Sequence, residues 1–243
     1  KIKGAKKPFF LFMHLVDTHY PYPIGQLKTI DGKNTIKEIL KKIKYPKQKE
    51  YIKKRFYDLS AQNMEQIERK RDDSIIAVDK NIGKLHSFLK KNNLWDNTIF
   101  VILSDHGDNF GEHETYFCRG GLYEESVHVP LIMHIPYIGK KEINEITQTI
   151  DIAPTILDLM EEKKVKIDGK SILKIVKSGK PIRESALFVD AFCDKRIAIR
   201  TKYRKLIITR GGECLLCGSP HCKNEKEEYD LSVDKEEANN IYS

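Results

Sequence analysis

Two short polar clusters in this 243-residue chain carry side chains that can hold a cation or move a proton. One is Asp17-Thr18-His19 and the other is Asp105-His106-Gly107-Asp108. An Asp next to a His offers a hard oxygen and an imidazole nitrogen to one divalent cation, and a following Gly lets the backbone turn sharply past the ion. His19 has the chemistry of a general acid to a leaving group or of a donor to an oxyanion. A His before Tyr-Pro is also commonly a packed loop residue, and a bare D-H-G is commonly a turn. A third cluster, Cys214-x-x-Cys217 followed by His221-Cys222, brings four soft ligands together in sequence. It reads as a structural Zn²⁺ site in a C-terminal hairpin, as a disulfide such as Cys214–Cys222, or as free thiols. Cys118 and Cys193 stand alone.

The first two clusters gain weight from the elements that precede them. Pro8 to Val16 (PFFLFMHLV) is a continuous apolar run that reads as a fully buried strand, with His14 a core histidine inside it and Pro21 and Pro23 closing it. Thr98 to Ser104 (TIFVILS) is β-branched and apolar, hence a central strand that stops at Asp105. Ligands of open α/β sheets sit at the carboxyl ends of strands. The side chains of Asp105 and His106 are therefore expected in one cavity, with His19 within about 10 Å, since neighbouring strands lie roughly 4.8 Å apart.

Between these strands a helix is expected from about Met64 to Asn93, with Ile67, Ile75, Val78, Ile82, Leu85, Phe88 and Leu89 on its buried face. Residues 24–63 read as a Lys-rich insertion with a short helix around Ile36 to Ile43. Residues 129–135 read as another strand, and 149–160 as a helix with Asp151 as its N-cap and Pro154 in its first turn. This order predicts an α/β class with helices on the sheet faces across residues 1–180. After Lys180 the pattern becomes short and alternating, at Ala186 to Asp190, Arg196 to Thr201 and Tyr203 to Thr209, which predicts a small antiparallel subdomain over 181–243.

Composition narrows the class. Apolar residues make up 40% and charged residues 32%, so a core can form and a disordered chain is excluded. The longest apolar run, Pro8 to Val16, is far short of the roughly 20 residues a membrane span needs. The net charge of +8 reads mainly as a solvated Lys-rich surface, with attraction of anionic esters as the sharper reading. Aromatic and basic residues are not interleaved as in nucleic-acid binders, so nucleic acid is not expected as a partner. Oligomeric state and compartment stay open, with the cytoplasm favoured.

Six ordered segments carry a resemblance: PFFLFMHLVDTHYPYP (8–23), VDKNIGKLHSFLKKNNLWDNTIFVILSDHGDNFGEH (78–113), RGGLYEESVHVPLIMHIP (119–136), TIDIAPTILDLM (149–160), DGKSIL (168–173) and EYDLSVDKEEANNI (228–241). Together they resemble the sulfatase family of the alkaline phosphatase superfamily. The resemblance implies an alkaline-phosphatase-like α/β sheet and hydrolysis of small anionic sulfate esters, or, in some relatives, of phosphate esters. It implies a bound divalent metal, Ca²⁺ by family habit, with Mg²⁺ or Mn²⁺ as alternatives. By motif, Asp105 and His106 resemble half of the metal site, and His19 the histidine at the sulfuryl group or leaving oxygen. Arg119 stands where many members have Lys and could hold the anion in bidentate fashion. His113 either lines the pocket or is structural.

One departure matters most. The family nucleophile arises in a C/S-x-P-x-R motif, and the sequence around each of the five cysteines lacks it. The chain thus reads as the central and C-terminal portion of such an enzyme, inactive by itself, with nucleophile and remaining metal ligands expected before Lys1. Two rival readings stand beside the sulfatase: a metal-dependent phosphodiesterase or phosphoethanolamine-type transferase, and a non-catalytic binding protein.

Overall fold

The computed structural model describes residues 8–19, 22, 41, 46, 49–50, 64–114, 121–162, 165–190, 196–213, 220–221 and 225–243. They fall in two units, one drawn from Lys1–Lys44, Ile52–Thr98 and His134–Tyr137, the other from Tyr45–Tyr51, Ile99–Met133 and Ile138–Ser243. Among the described residues no helix is long and apolar enough to cross a membrane. Apart from Lys41, Pro46, Lys49 and Glu50, the expected Lys-rich insertion and its helix lie outside the described residues, as do Cys118, Arg119, Cys193, Cys214, Cys217 and Cys222. His221 is described by its backbone only.

The first unit is organised by helix α1 (Met64–Lys91). Its periodic apolar positions pack as expected at Ile67 and Leu89, which are fully buried, with Ser74 buried between them. Ile75 and Phe88 turn outward, so the buried stripe is narrower than the sequence pattern implies. The helix ends in a Schellman turn: Asn93 takes positive φ (55°), its N–H reaches Lys90 O, and Leu94 N–H reaches Leu89 O at 2.9 Å. Asn is one of the few residues that tolerates this conformation cheaply. Trp95 follows, stacked on His134 at 3.9 Å with the His86 ring edge-on at 4.3 Å.

Residues 8–16 correct an expectation. They form no strand, and Phe10 and Phe12 are 80% and 76% exposed. His14 is exposed with them and is not a core histidine. A strand exists only where its N–H and C=O groups find a ladder, and among the described residues no strand pairs with this run.

The first strands of the second unit are β1 (Phe100–Leu103) and β2 (Leu131–His134, whose last residue falls in the first unit), which pair with each other. Between them lies the one-turn helix α2 (Glu124–Val127). Helix α3 (Ile152–Leu159) follows a 3₁₀ turn at Thr149–Asp151, and Pro154 sits in its first turn as expected. Asp151 is the N-cap residue of the helix as expected, but its side chain makes no cap bond to it. It is fully buried, its carboxylate accepts Gln148 N–H and Lys170 N–H (both 2.8 Å), and it pairs through both oxygens with Arg183. Burial alone would raise this carboxyl, but the Arg183 guanidinium and the two amides hold it below the usual range. Helix α4 (Leu173–Ser178) ends at Gly179 in the left-handed region.

A four-stranded antiparallel sheet closes the chain in the order β3 (Ser185–Asp190), β4 (Arg196–Thr201), β5 (Arg204–Thr209), β8 (Lys226–Asp230). The short ribbon β6 (Gly212–Glu213) and β7 (Pro220–His221) precedes β8. Alternation places Arg196 and Ala198 of β4, Lys205, Ile207 and Thr209 of β5, and Glu227 and Tyr229 of β8 on the buried face. Ala198, Ile207 and Tyr229 pack with Leu122, Tyr123 and Leu231 into one apolar cluster. The remaining inward positions are Thr209 and the charged Arg196, Lys205 and Glu227, and what the charged ones face decides the next site.

Candidate functional site

Asp105 and His106 follow β1 directly and are held by short-range bonds. Ser104 Oγ donates to His106 O at 2.7 Å, and His106 N–H donates to Asp105 Oδ1 at 3.1 Å. His106 Nδ1 lies 2.8 Å from Gly107 O. A carbonyl can only accept, so Nδ1 carries the proton and Nε2 carries the lone pair in the neutral ring. That Nε2 is 3.8 Å from Asp105 Oδ2, whose side chain is 73% exposed. One carboxylate oxygen and one imidazole nitrogen at this separation fit a common divalent cation, whose adjacent ligands lie about 3–4 Å apart at bond lengths near 2.0–2.5 Å. The side chains of Asp105 and His106 thus lie 3.8 Å apart at the end of β1. His19 belongs to the first unit, in a turn where its N–H bonds Val16 O at 3.0 Å. Arg119 and the cysteine cluster fall outside the described residues.

Gly107 explains why the turn has a glycine. Its N–H donates to Ser126 O at 2.9 Å, and a Cβ there would lie 1.8 Å from Glu125 O. The Asp105–His106 turn is therefore pressed onto the backbone of α2. A second link joins them, Ser126 Oγ donating to Asn109 Oδ1 at 2.7 Å, both residues buried.

Helix α2 is in turn fixed by the charged inward row of the sheet. Glu124 takes both nitrogens of the Arg200 fork (3.0 and 3.1 Å) and Lys205 Nζ (3.1 Å). Burial raises its carboxyl, but those bonds outweigh burial and hold it below the ordinary range. Lys205 Nζ also pairs with Glu237 Oε1 at 2.9 Å, and Glu237 Oε2 accepts Glu124 N–H at 2.6 Å. Burial pushes the Glu237 carboxyl up, with Lys205 opposing. Tyr123 and Tyr229 both donate to Glu227 Oε2, at 2.6 and 2.7 Å, and burial with this carboxylate neighbour pushes both phenols up.

Beside this network His113, Glu125 and Glu237 place one ligand atom each within 4.8 Å of the others, a group that could hold a metal ion. The His113 ring stacks on Tyr123 at 3.6 Å, with Nε2 3.8 Å from Glu125 Oε2, and burial lowers its pKa. Lys205 already supplies Glu237 with a positive charge at 2.9 Å. The sequence did not show this assembly. Its one legible sign is a Lys at an inward position just before the apolar run Leu206-Ile207-Ile208.

Comparison with known proteins matches residues 1–162 to the family described as Sulfatase. Residues 111–243 match the family described as N-sulphoglucosamine sulphohydrolase, C-terminal. The chain is similar to the N-acetylglucosamine-6-O-sulfatase of Bacteroides thetaiotaomicron, 32% identical over 70% of this chain and 31% of the relative. It is 27% identical to the choline-sulfatase of Rhizobium meliloti over 76% of this chain and 35% of that protein. It therefore spans about a third of the length of these curated relatives. A solved structure in complex with its substrate D-glucosamine-2-N,6-O-disulfate aligns at TM-score 0.57 with 31% identity, over 72% of this chain and 36% of that one. A solved 2-O GAG sulfatase aligns at TM-score 0.62 over 90% of this chain and 50% of that one, at 20% identity, a likeness of fold alone.

Proposed function

The chain belongs to the sulfatase family, with its alkaline-phosphatase-like α/β fold, and from that premise we propose that it is the metal-binding and C-terminal part of a sulfuric ester hydrolase. The observation that carries the reading is the pairing of Asp105 Oδ2 with His106 Nε2 at 3.8 Å on a turn that only glycine can follow. Asp105 and His106 hold a divalent cation, Ca²⁺ first, with Mg²⁺ and Mn²⁺ as alternatives. When bound, such a cation polarises the ester oxygen as a Lewis acid.

His19 donates a proton to the leaving alcohol oxygen, and Arg119 holds the sulfuryl oxygens through its planar fork. The attacking nucleophile is supplied by residues other than these 243. The substrate is a small sulfate ester; the relative acting on N-acetylglucosamine 6-sulfate and the solved complex with a sulfated glucosamine make a sulfated amino sugar the first to assay. Residues 181–243 act as a distinct C-terminal subdomain of the domain built on 1–180.

The test is turnover of 4-nitrophenyl sulfate, bis-4-nitrophenyl phosphate and a glucosamine 6-sulfate with added Ca²⁺, Mg²⁺ or Mn²⁺. The whole protein is expected to cleave the sulfates, and residues 1–243 by themselves to cleave none of them. Asp105→Ala and His19→Ala should each lower turnover by about two orders of magnitude, the usual scale for charge-stabilising and proton-donating groups. Robust turnover by residues 1–243 would place the nucleophile inside them, and unchanged turnover in both variants would remove these residues from the site.

A further inference from the structure

We infer that Lys205 is a positioning residue for the Asp105–His106 turn, acting through Glu124, Glu237 and helix α2. The inference rests on the metal reading of that turn and extends it to residues far away in sequence.

The physical case begins with α2. Its four residues make a single turn, and an isolated helix that short has no stability of its own in water. Its place is therefore set by what grips it. At its first residue the grip is ionic and buried: Lys205 Nζ donates to Glu124 Oε1 at 3.1 Å and forms an ion pair with Glu237 Oε1 at 2.9 Å, and Glu237 Oε2 receives Glu124 N–H at 2.6 Å. The side chains of Lys205 and Glu237 are both fully removed from solvent. Three elements thus close on one ammonium: β5 through Lys205, α2 through Glu124, and the C-terminal segment through Glu237.

Two residues further along, the same helix touches the candidate metal turn. Ser126 O takes the Gly107 amide at 2.9 Å, Glu125 O fills the space a Cβ on Gly107 would need, and Ser126 Oγ bonds Asn109. Gly107 immediately follows His106 and also lends its carbonyl to His106 Nδ1. A shift of α2 is therefore passed to the ring whose Nε2 faces Asp105. The C-terminal sheet thereby serves as a platform beneath the cation site.

The assay compares the whole protein with two variants. Lys205→Met/Glu237→Gln removes both members of the buried pair together, which avoids stranding a lone charge and keeps an oxygen to receive Glu124 N–H. Lys205→Met alone is the second variant. Amide hydrogen exchange is followed at Gly107 and, as a control, along the β3–β4 ladder, and Mn²⁺ affinity is measured by titration. Positioning predicts that Gly107 exchange quickens about tenfold or more and Mn²⁺ binding weakens about tenfold, with the β3–β4 ladder unchanged. Exchange that quickens at Gly107 and in the ladder alike, or at neither, overturns the inference. Asp105→Asn tests the metal reading separately. If that variant binds Mn²⁺ as the parent does, the metal reading fails, while the Gly107 exchange result still decides whether Lys205 holds the turn.

Discussion

Replacing Gly107 by Ala adds one methyl group at the point where the candidate metal turn meets α2. Its carbon would sit 1.8 Å from Glu125 O and 2.9 Å from Glu125 C, where ordinary contact starts at 3.4 Å, so about 1.6 Å must be opened between two backbone segments. Neither obstacle is a flexible side chain. Relieving the clash means moving the turn off the helix and breaking the Gly107 N–H to Ser126 O bond of 2.9 Å. Overpacking costs about 1–3 kcal/mol and the lost hydrogen bond about 1 kcal/mol, so the expected loss is about 2–4 kcal/mol. Gly83 provides the matched control. It lies inside α1 with nothing within 4 Å of the place a methyl group would take, and Gly83→Ala should stabilise by about 0.5–1 kcal/mol, the ordinary helix preference for Ala. Urea unfolding of both variants, with Mn²⁺ titration of each, checks the pair. Only Gly107→Ala should also weaken Mn²⁺ binding, because only it displaces Asp105 and His106. Gly107→Ala within about 0.5 kcal/mol of the parent, with its Mn²⁺ affinity intact, would refute the close packing of the turn on α2.

Arg183→Met should cost about 3 kcal/mol at neutral pH, since it leaves the buried Asp151 carboxylate with only its backbone donors. Asp151 titrates below its ordinary value in the folded protein, so its contribution is full above about pH 4 and fades as pH falls further; urea midpoints of parent and variant should converge in acid. Tyr229→Phe and Tyr123→Phe each remove one donor to the buried Glu227 and should cost about 1–2 kcal/mol, measured by the same unfolding curves. Both phenols are pushed up on folding, so the stability tied to them holds below about pH 10 and is lost as pH rises; an absorbance titration should show these two ionising only as the protein unfolds. His113 is pushed down by burial, so its contribution is present above about pH 6.5 and declines in acid, and His113→Phe should flatten the stability profile between about pH 5 and 7, read from melting temperatures.

What could be read from the sequence was what local periodicity encodes. Helix α1 and strands β1 to β5 lie within a few residues of their expected bounds, because each carries its own apolar rhythm. The turn at Asp105 and His106 was legible as the place where such a strand stops. Residues 8–16 have an equally strong signal and yet form no strand, since an apolar run states a need for neighbours and does not provide them. Strand β8 (KEEYD) was hidden by its charges, two of whose positions turn inward to Tyr123 and the apolar cluster. The Lys205 assembly joins Glu124, Lys205 and Glu237 across 81 and 113 positions, so nothing in any one window announces it. Asp151 reads as a plain cap for the same reason, its partner Arg183 lying 32 positions on.

Trp95 gives the chain a natural optical label. It is the sole tryptophan in the sequence, and it lies in the first unit, packed against two imidazole rings, His134 and His86. Its emission therefore follows the surroundings of α1 in the first unit. The Tyr123–Tyr229 pair, edge-on at 6.4 Å in the apolar cluster of the C-terminal sheet, adds a tyrosine contribution from the second unit to the near-ultraviolet dichroism. One denaturation experiment recorded at both signals therefore yields two separate transition curves. Coincident curves would mean that the two units lose structure as a single cooperative body, and offset curves would rank their stabilities without any added dye.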